Sequence, residues 1–128
     1  MSNWKRFDQN EFVTSDPDSL TILLYERCLL FMKKAQKDFH SEDHKESVLN
    51  ALDKAYRIVN ELSMQLNKDE ALPASVKDVI QSMEQDYLTA ALCIEEAVHN
   101  GNLEKLDIAI LTISNLLEAY REVKRRGQ

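Results

Sequence analysis

From Ser15 to Phe39 the chain reads SDPDSLTILLYERCLLFMKKAQKDF, and its apolar residues recur at helical rather than strand spacing. The start is marked. Asp16 is placed to accept a hydrogen bond from a first-turn amide, Pro17 has a φ suited to a helix and no N–H to leave unpaired, and Asp18 faces the positive end of the macrodipole. At 100° per residue, Leu20, Leu24, Cys28, Phe31, Met32, Ala35 and Phe39 share one broad apolar face. A helix covered on one side needs that stripe and no more. This one carries Ile22, Tyr25 and Leu29 as a second ridge on its shoulder, and Leu23 and Leu30 among Glu26, Arg27, Lys33, Lys34 and Lys37. Apolar surface in excess of what a core uses is the first pointer to a binding function.

The same pattern returns three times. Asp43 with Glu46 resembles a capping box, followed by a stripe of Val48, Leu52, Ala55, Val59, Leu62 and Leu66, flanked by Tyr56 and Ile58. The opposite side of that helix (Asn50, Asp53, Arg57, Asn60, Glu61) is polar. After a charged loop, Pro73 or Ser75 opens a third helix with Val76, Ile80, Met83, Tyr87, Ala90, Ala91, Ile94 and Val98 inward and Leu88 and Leu92 off the stripe. Asn100-Gly101 is a strong stop, since glycine tolerates the left-handed conformation that closes helices. Asn102 caps a fourth helix facing inward with Leu106, Ile110, Ile113, Leu117 and Tyr120, with Ala109 and Leu116 beside them. Ile108 and Leu111 point away from that face and, with Thr112, Asn115 and Ala119, make a strip without charge.

A chain of 128 residues holding two glycines and two prolines has too few turn formers for a sheet or a loop-rich fold. With short connections, helices at about 17–39, 44–66, 74–99 and 103–125 form an all-α, antiparallel up-down-up-down four-helix bundle over residues 16–126. Residues 1–15 carry no helical stripe yet hold Trp4, Phe7, Phe12 and Val13, which predicts a segment that docks on the helices.

Several functions are excluded. The net charge of −6 argues against a nucleic-acid partner, and the basic end Lys124-Arg125-Arg126 suits a helix C-terminus. Cys28 and Cys93 stand apart with no ligand spacing, which predicts buried, reduced thiols in a cytoplasmic protein. No export signal or membrane-inserting run is legible. A di-metal bundle needs two Glu-x-x-His pairs and further inward carboxylates, but Glu96-x-x-His99 is the one pair present and the inward faces lack Asp, Glu and His. A phosphotransfer bundle, the other catalytic alternative, needs an exposed mid-helix histidine, whereas His40 and His44 flank the first loop and His99 abuts the third. The residues point to no catalysis, no cofactor and no metal. Ile22, Tyr25, Leu29, Leu88, Leu92, Ile108, Leu111 and Asn115 are the candidate partner-binding residues, suited to an amphipathic helix laid in a groove.

The run from Trp4 to Met32 resembles the start of the flagellar secretion chaperone family, FliS. Asn3-Trp4 and Phe7 stand for an Asn-Pro-Tyr-x-x-Tyr opening, and Gln9-Asn10 is kept. Asp16-Pro17-Asp18-Ser19-Leu20 fits the family's helix start and Leu24-Tyr25-Glu26 its central run, with Arg27 and Cys28 in place of glycine and alanine. Ile58-Val59-Asn60-Glu61-Leu62 with Leu66-Asn67, and Leu116-Leu117-Glu118-Ala119-Tyr120-Arg121-Glu122-Val123, are similar to the ends of the family's second and last helices. The resemblance implies an export chaperone that binds the disordered C-terminal region of flagellin in the cytoplasm, prevents premature polymerisation and assists delivery to the export apparatus. It further implies an export-gate component or co-chaperone as additional partner, a monomer or weak homodimer, and a removable lid formed by Trp4, Phe7 and Phe12.

Overall fold

The structure, a computed structural model, describes residues 17–126, with side chains from Ser19 onward. Among the described residues are α1 (Pro17–Asp38), a 3-10 turn (Glu42–His44), α2 (Lys45–Met64), α3 (Ala74–Asn100) and α4 (Leu103–Arg126), with no strand. Each helix packs on the next in sequence, and α4 returns to α1, closing a ring of four.

Side-chain contacts fix the direction of α1 against α4 and the level at which the other neighbours meet. The start of α1 meets the end of α4 through Ser19 and Lys124 (2.7 Å), and the end of α1 meets the start of α4 through Gln36 and Asp107 (2.7 Å). Cys28 lies against the Ala55 carbonyl between α1 and α2, Tyr56 donates to Glu95 (2.8 Å) between α2 and α3, and Lys105 pairs with Glu96 (3.6 Å) between α3 and α4. Between α1 and α4 residue numbers rise on one helix as they fall on the other, and the short connections reverse the chain between the remaining neighbours. The bundle is therefore antiparallel throughout, as the short connections require.

The inward stripes form one core. Leu24, Cys28, Met32 and Ala35 meet Val48, Leu52, Ala55 and Val59, and across from them lie Tyr87, Ala90, Ile94, Ala97, Leu106, Ala109, Ile113 and Leu117. Alanines at two turns of α3 (Ala90 with Ala91, then Ala97) and at Ala109 let backbones approach closely where larger side chains would force them apart. Gly101 takes φ 63° after α3, and the Asn102 side chain accepts from the Lys105 amide (3.3 Å) to start α4. Those two expectations hold.

Two others are corrected. The Asp43–Glu46 capping box does not form: the chain enters α2 through the 3-10 turn, so Asp43 sits inside that turn, and His44 takes the cap position without a side-chain cap bond. Ser41 Oγ meets His44 Nδ1 at 2.8 Å instead. Val76, expected inward, is 40% exposed. Since α2 ends at Met64, the first turns of α3 have the loop 65–73 in place of α2 on one side, with Lys77 paired to Glu70 (3.3 Å).

Candidate partner-binding surface

The shoulder of α1 behaves differently from its sequence pattern. Tyr25 is fully buried, Leu29 is 8% exposed, and Ile22 is half-buried against the core. This corrects the expectation that Tyr25 and Leu29 present an open ridge. The physical reason is the arrival of α4 on that side, where Arg121 pairs with Glu26 and the Ser19–Lys124 and Gln36–Asp107 bonds run along the seam. Below it, the Tyr25 and Tyr87 hydroxyls bond each other, with the Tyr120 ring edge-on to Tyr25 at 5.9 Å. Burial raises the pKa of both Tyr25 and Tyr87, so each remains a neutral phenol that satisfies its buried hydroxyl through the other.

The outer sides of α3 and α4 are open. Leu88 and Leu92 are 52% and 49% exposed, Ile108 and Leu111 are 41% and 61% exposed, and Asn115 is exposed. Leu88 and Leu92 are one turn apart on α3; Ile108, Leu111 and Asn115 follow i, i+3, i+7 on α4. The Glu96–Lys105 pair sets their level: one turn back along α3 lies Leu92, and one turn on along α4 lies Ala109, beside Ile108. The two leucine-bearing surfaces thus stand at the same height on neighbouring helices.

Two uncharged stretches carry them, bounded by Glu84 and Asp86 within α3, by Glu96 one turn beyond Leu92, and by Lys105 and Asp107 before Ile108. From Gln81 to Leu92 the exposed residues of α3 are Gln81, Ser82, Gln85, Leu88, Thr89 and Leu92. From Ile108 to Asn115 the residues of α4 are uncharged as well, and Thr112 donates its hydroxyl to the Ile108 carbonyl (2.8 Å), which leaves its methyl to the surface. The exposed side of α2 is the contrast, with Asn50, Asp53, Lys54, Arg57 and Asn60, and an Arg57–Asp53 pair at 3.1 Å.

Sequence reasoning gave no surface role to four exposed apolar residues, Leu49, Met64, Val79 and, near the end of α4, Val123. Leu49 (44% exposed) borders a cavity of about 260 Å3 at one end of the bundle, with Phe39, Val48, Val98 and Gly101. Val79 is exposed for the same reason as Val76, and no pattern in α3 alone could reveal that its neighbour stops short. Met64 is exposed in the last turn of α2, where the stripe rule places no apolar residue and gives none a role. Trp4, Phe7 and Phe12 lie outside the described residues.

Both cysteines are free and buried. Burial pushes the Cys28 thiol up to about 12 and raises that of Cys93, opposed there by Lys105, so neither is a thiolate nucleophile near neutral pH. Among the described residues no group of three His, Cys, Asp or Glu could hold a metal, and no helix is long and apolar enough to cross a membrane. What the surface can do chemically is bury another protein's apolar side chains.

The fold defines the class: an all-helical antiparallel four-helix bundle with exposed apolar residues on two neighbouring helices. The family model for the flagellar protein FliS matches residues 1–127, and the chain belongs to that family. The flagellar secretion chaperone FliS of Bacillus subtilis (strain 168) is 34% identical over 70 residues, 55% of this chain and 52% of that protein, so the match spans about half the length of that relative. The crystal structure of a flagellar chaperone from bacteria aligns with TM-score 0.74 and 27% identity, covering 96% of this chain and 95% of that one.

Proposed function

We propose that this protein is a flagellar export chaperone whose client is the disordered C-terminal region of flagellin. It acts in the cytoplasm, holds the client back from polymerising, and assists its delivery to the export apparatus. The observation that carries this reading is the uncharged outer side of α3 and α4, where Leu88, Leu92, Ile108 and Leu111 stand open. A disordered client gains helical structure by laying its own apolar stripe there. At ~25 cal/mol per Å2, ~800 Å2 of apolar burial is worth ~20 kcal/mol, from which the ordering of the client and the loss of its free motion are subtracted. Binding therefore needs no cofactor and no covalent chemistry.

Two finer points belong to the same proposal. The amino-terminal segment with Trp4, Phe7 and Phe12 competes with the client as a lid, and an export-gate component or co-chaperone takes over the loaded complex. The chaperone itself is a monomer or weak homodimer. The test is calorimetric titration with a peptide of the flagellin C-terminal region. Leu92→Asp, Ile108→Asp and Leu111→Asp should each weaken binding by about tenfold or more, the scale of one central interface residue, while circular dichroism stays that of the parent. Undiminished affinity in all three would refute the site. Removing residues 1–12 should tighten binding, and unchanged affinity would remove the lid from the scheme.

A further inference from the structure

Most cations of this acidic chain are matched within it. Arg57 pairs with Asp53, Lys68 with Glu84, Lys77 with Glu70, Lys105 with Glu96, and Arg121 with Glu26. Lys54 lies over the Phe31 ring at 5.4 Å. Lys33, Lys34 and Lys37 are the exception: all are exposed, and among the described residues no carboxylate stands within ion-pair distance of any of them. Lys45, just beyond the end of α1, is in the same condition.

The three lysines are not scattered. With Leu30, 58% exposed, they occupy i, i+3, i+4 and i+7 of α1, which is one outward face two turns long, about 10 Å at 1.5 Å per residue. Lys34 also borders a cleft of about 490 Å3 between α1 and α2, shared with Phe31, Asp43, Glu46 and Lys54. In the ring of helices α1 is opposite α3, so this face looks away from the neutral surface of α3.

The geometry points to a second docking face here: Leu30, Lys33, Lys34 and Lys37 receive an acidic amphipathic helix of another protein. An apolar residue of the partner covers Leu30, and carboxylates on either side of it meet the lysines, the division of labour found where charged flanks select a partner helix. Charge complementarity selects this occupant. Residues 1–16 of the chain itself are nearly balanced, with Lys5 and Arg6 against Asp8, Glu11 and Asp16, a surplus of one carboxylate for three lysines. A nucleic acid or an anionic membrane would meet a molecule of net charge −6 through three lysines and a single leucine, too small a footing against that overall repulsion.

The experiment uses the full chain and a synthetic helical peptide of about 20 residues, with a leucine stripe flanked by glutamates, beside a version with every Glu replaced by Gln. Binding is followed by fluorescence anisotropy at about 50 and about 300 mM salt. The acidic peptide should bind and the Gln peptide should not. K33Q/K34Q/K37Q should weaken the acidic peptide about tenfold, as three exposed charge pairs would, and Leu30→Gln should weaken it severalfold. Higher salt should lower the parent's affinity and barely move the triple variant's. These exposed substitutions should leave the circular dichroism spectrum and the affinity for the flagellin peptide unchanged, so failure here is separable from failure of the client site. Equal binding of the two peptides overturns the proposal, and so does full acidic-peptide affinity in the triple variant. Tighter lysine-dependent capture of a single-stranded oligonucleotide or of phosphatidylglycerol vesicles would also overturn it. Self-association of the parent that disappears in the triple variant would assign the face to a second copy and overturn it too.

Discussion

Two sets of apolar residues lie off the inward stripe on adjoining sides of the bundle, Ile22, Tyr25 and Leu29 on α1, and Leu88, Leu92, Ile108 and Leu111 on α3 and α4. In sequence the two sets look alike, since each falls beside a regular heptad-like face. The structure gives them opposite fates. Tyr25 and Leu29 are sealed along the α4 seam with Ile22 half-buried beside them. The other set stands open on stretches that are uncharged from Ile108 to Asn115 and among the exposed residues from Gln81 to Leu92. The difference teaches that a shoulder position is decided by the neighbour helix. A residue about 100° off the stripe faces whichever helix packs on that side, whereas a residue on the opposite side of the helix has no neighbour to meet.

The largest effect should separate the two regions outright. Leu29→Asp places a carboxylate at a site only 8% exposed and packed in the core, and should lower stability by ~3–5 kcal/mol or prevent folding. Urea unfolding followed by circular dichroism reads this directly. A loss below 1 kcal/mol would mean that the α1–α4 seam opens easily and that the two regions are not distinct.

That contrast also shows what could be read from residues alone. The four stripes, the Gly101 stop and the Asn102 cap follow from spacing and local hydrogen-bond chemistry, and they reappear in the structure. Leu111 was legible because its neighbours Ile108 and Asn115 are uncharged too. Tyr25 was not, because its burial depends on Tyr87 and Tyr120, residues 62 and 95 positions away in the chain. The entry into α2 failed similarly: Asp43 and Glu46 have capping-box spacing, but spacing does not reveal that a 3-10 turn precedes the helix.

The buried face of α1 should also carry a pH signature. Folding holds the Cys28 thiol up to about 12, against an ordinary value of 9.0. The unfolded chain ionises that thiol first, so the contribution to stability is whole below pH 9 and is lost as pH rises towards 12. The loss runs at about 1.4 kcal/mol per pH unit for one group. Tyr25 and Tyr87, raised by burial, add to the decline above pH 10. Cys28→Ala should flatten the stretch between pH 9 and 10, measured by denaturant titration at fixed pH, and an unaltered slope would show that the thiol ionises freely in the folded chain.

The Tyr25–Tyr87 bond allows a finer test of the same seam. Tyr25→Phe leaves the Tyr87 hydroxyl buried without its partner and should reduce stability by ~1–3 kcal/mol. Adding Tyr87→Phe removes the orphaned group, and the double variant should recover most of that loss. Independent, additive losses would place water within reach of both hydroxyls and would weaken the description of the seam as sealed.

The smallest effect falls on the open region. Leu111→Asp changes a residue 61% exposed, with neither a core contact to lose nor a buried site to charge, so stability should stay within ~0.5 kcal/mol of the parent. The substitution also sits well inside α4, beyond its first turn, where the helix dipole has little influence on a carboxylate. Set beside Leu29→Asp, it holds the chemistry constant and varies only whether a neighbour helix covers the site. If Leu111→Asp proves as damaging as Leu29→Asp, the outer side of α4 is engaged within the folded chain and cannot be reserved for a client. A neutral outcome leaves the apolar surface of α3 and α4 without a role in folding, and its persistence on an otherwise charged exterior then calls for a partner.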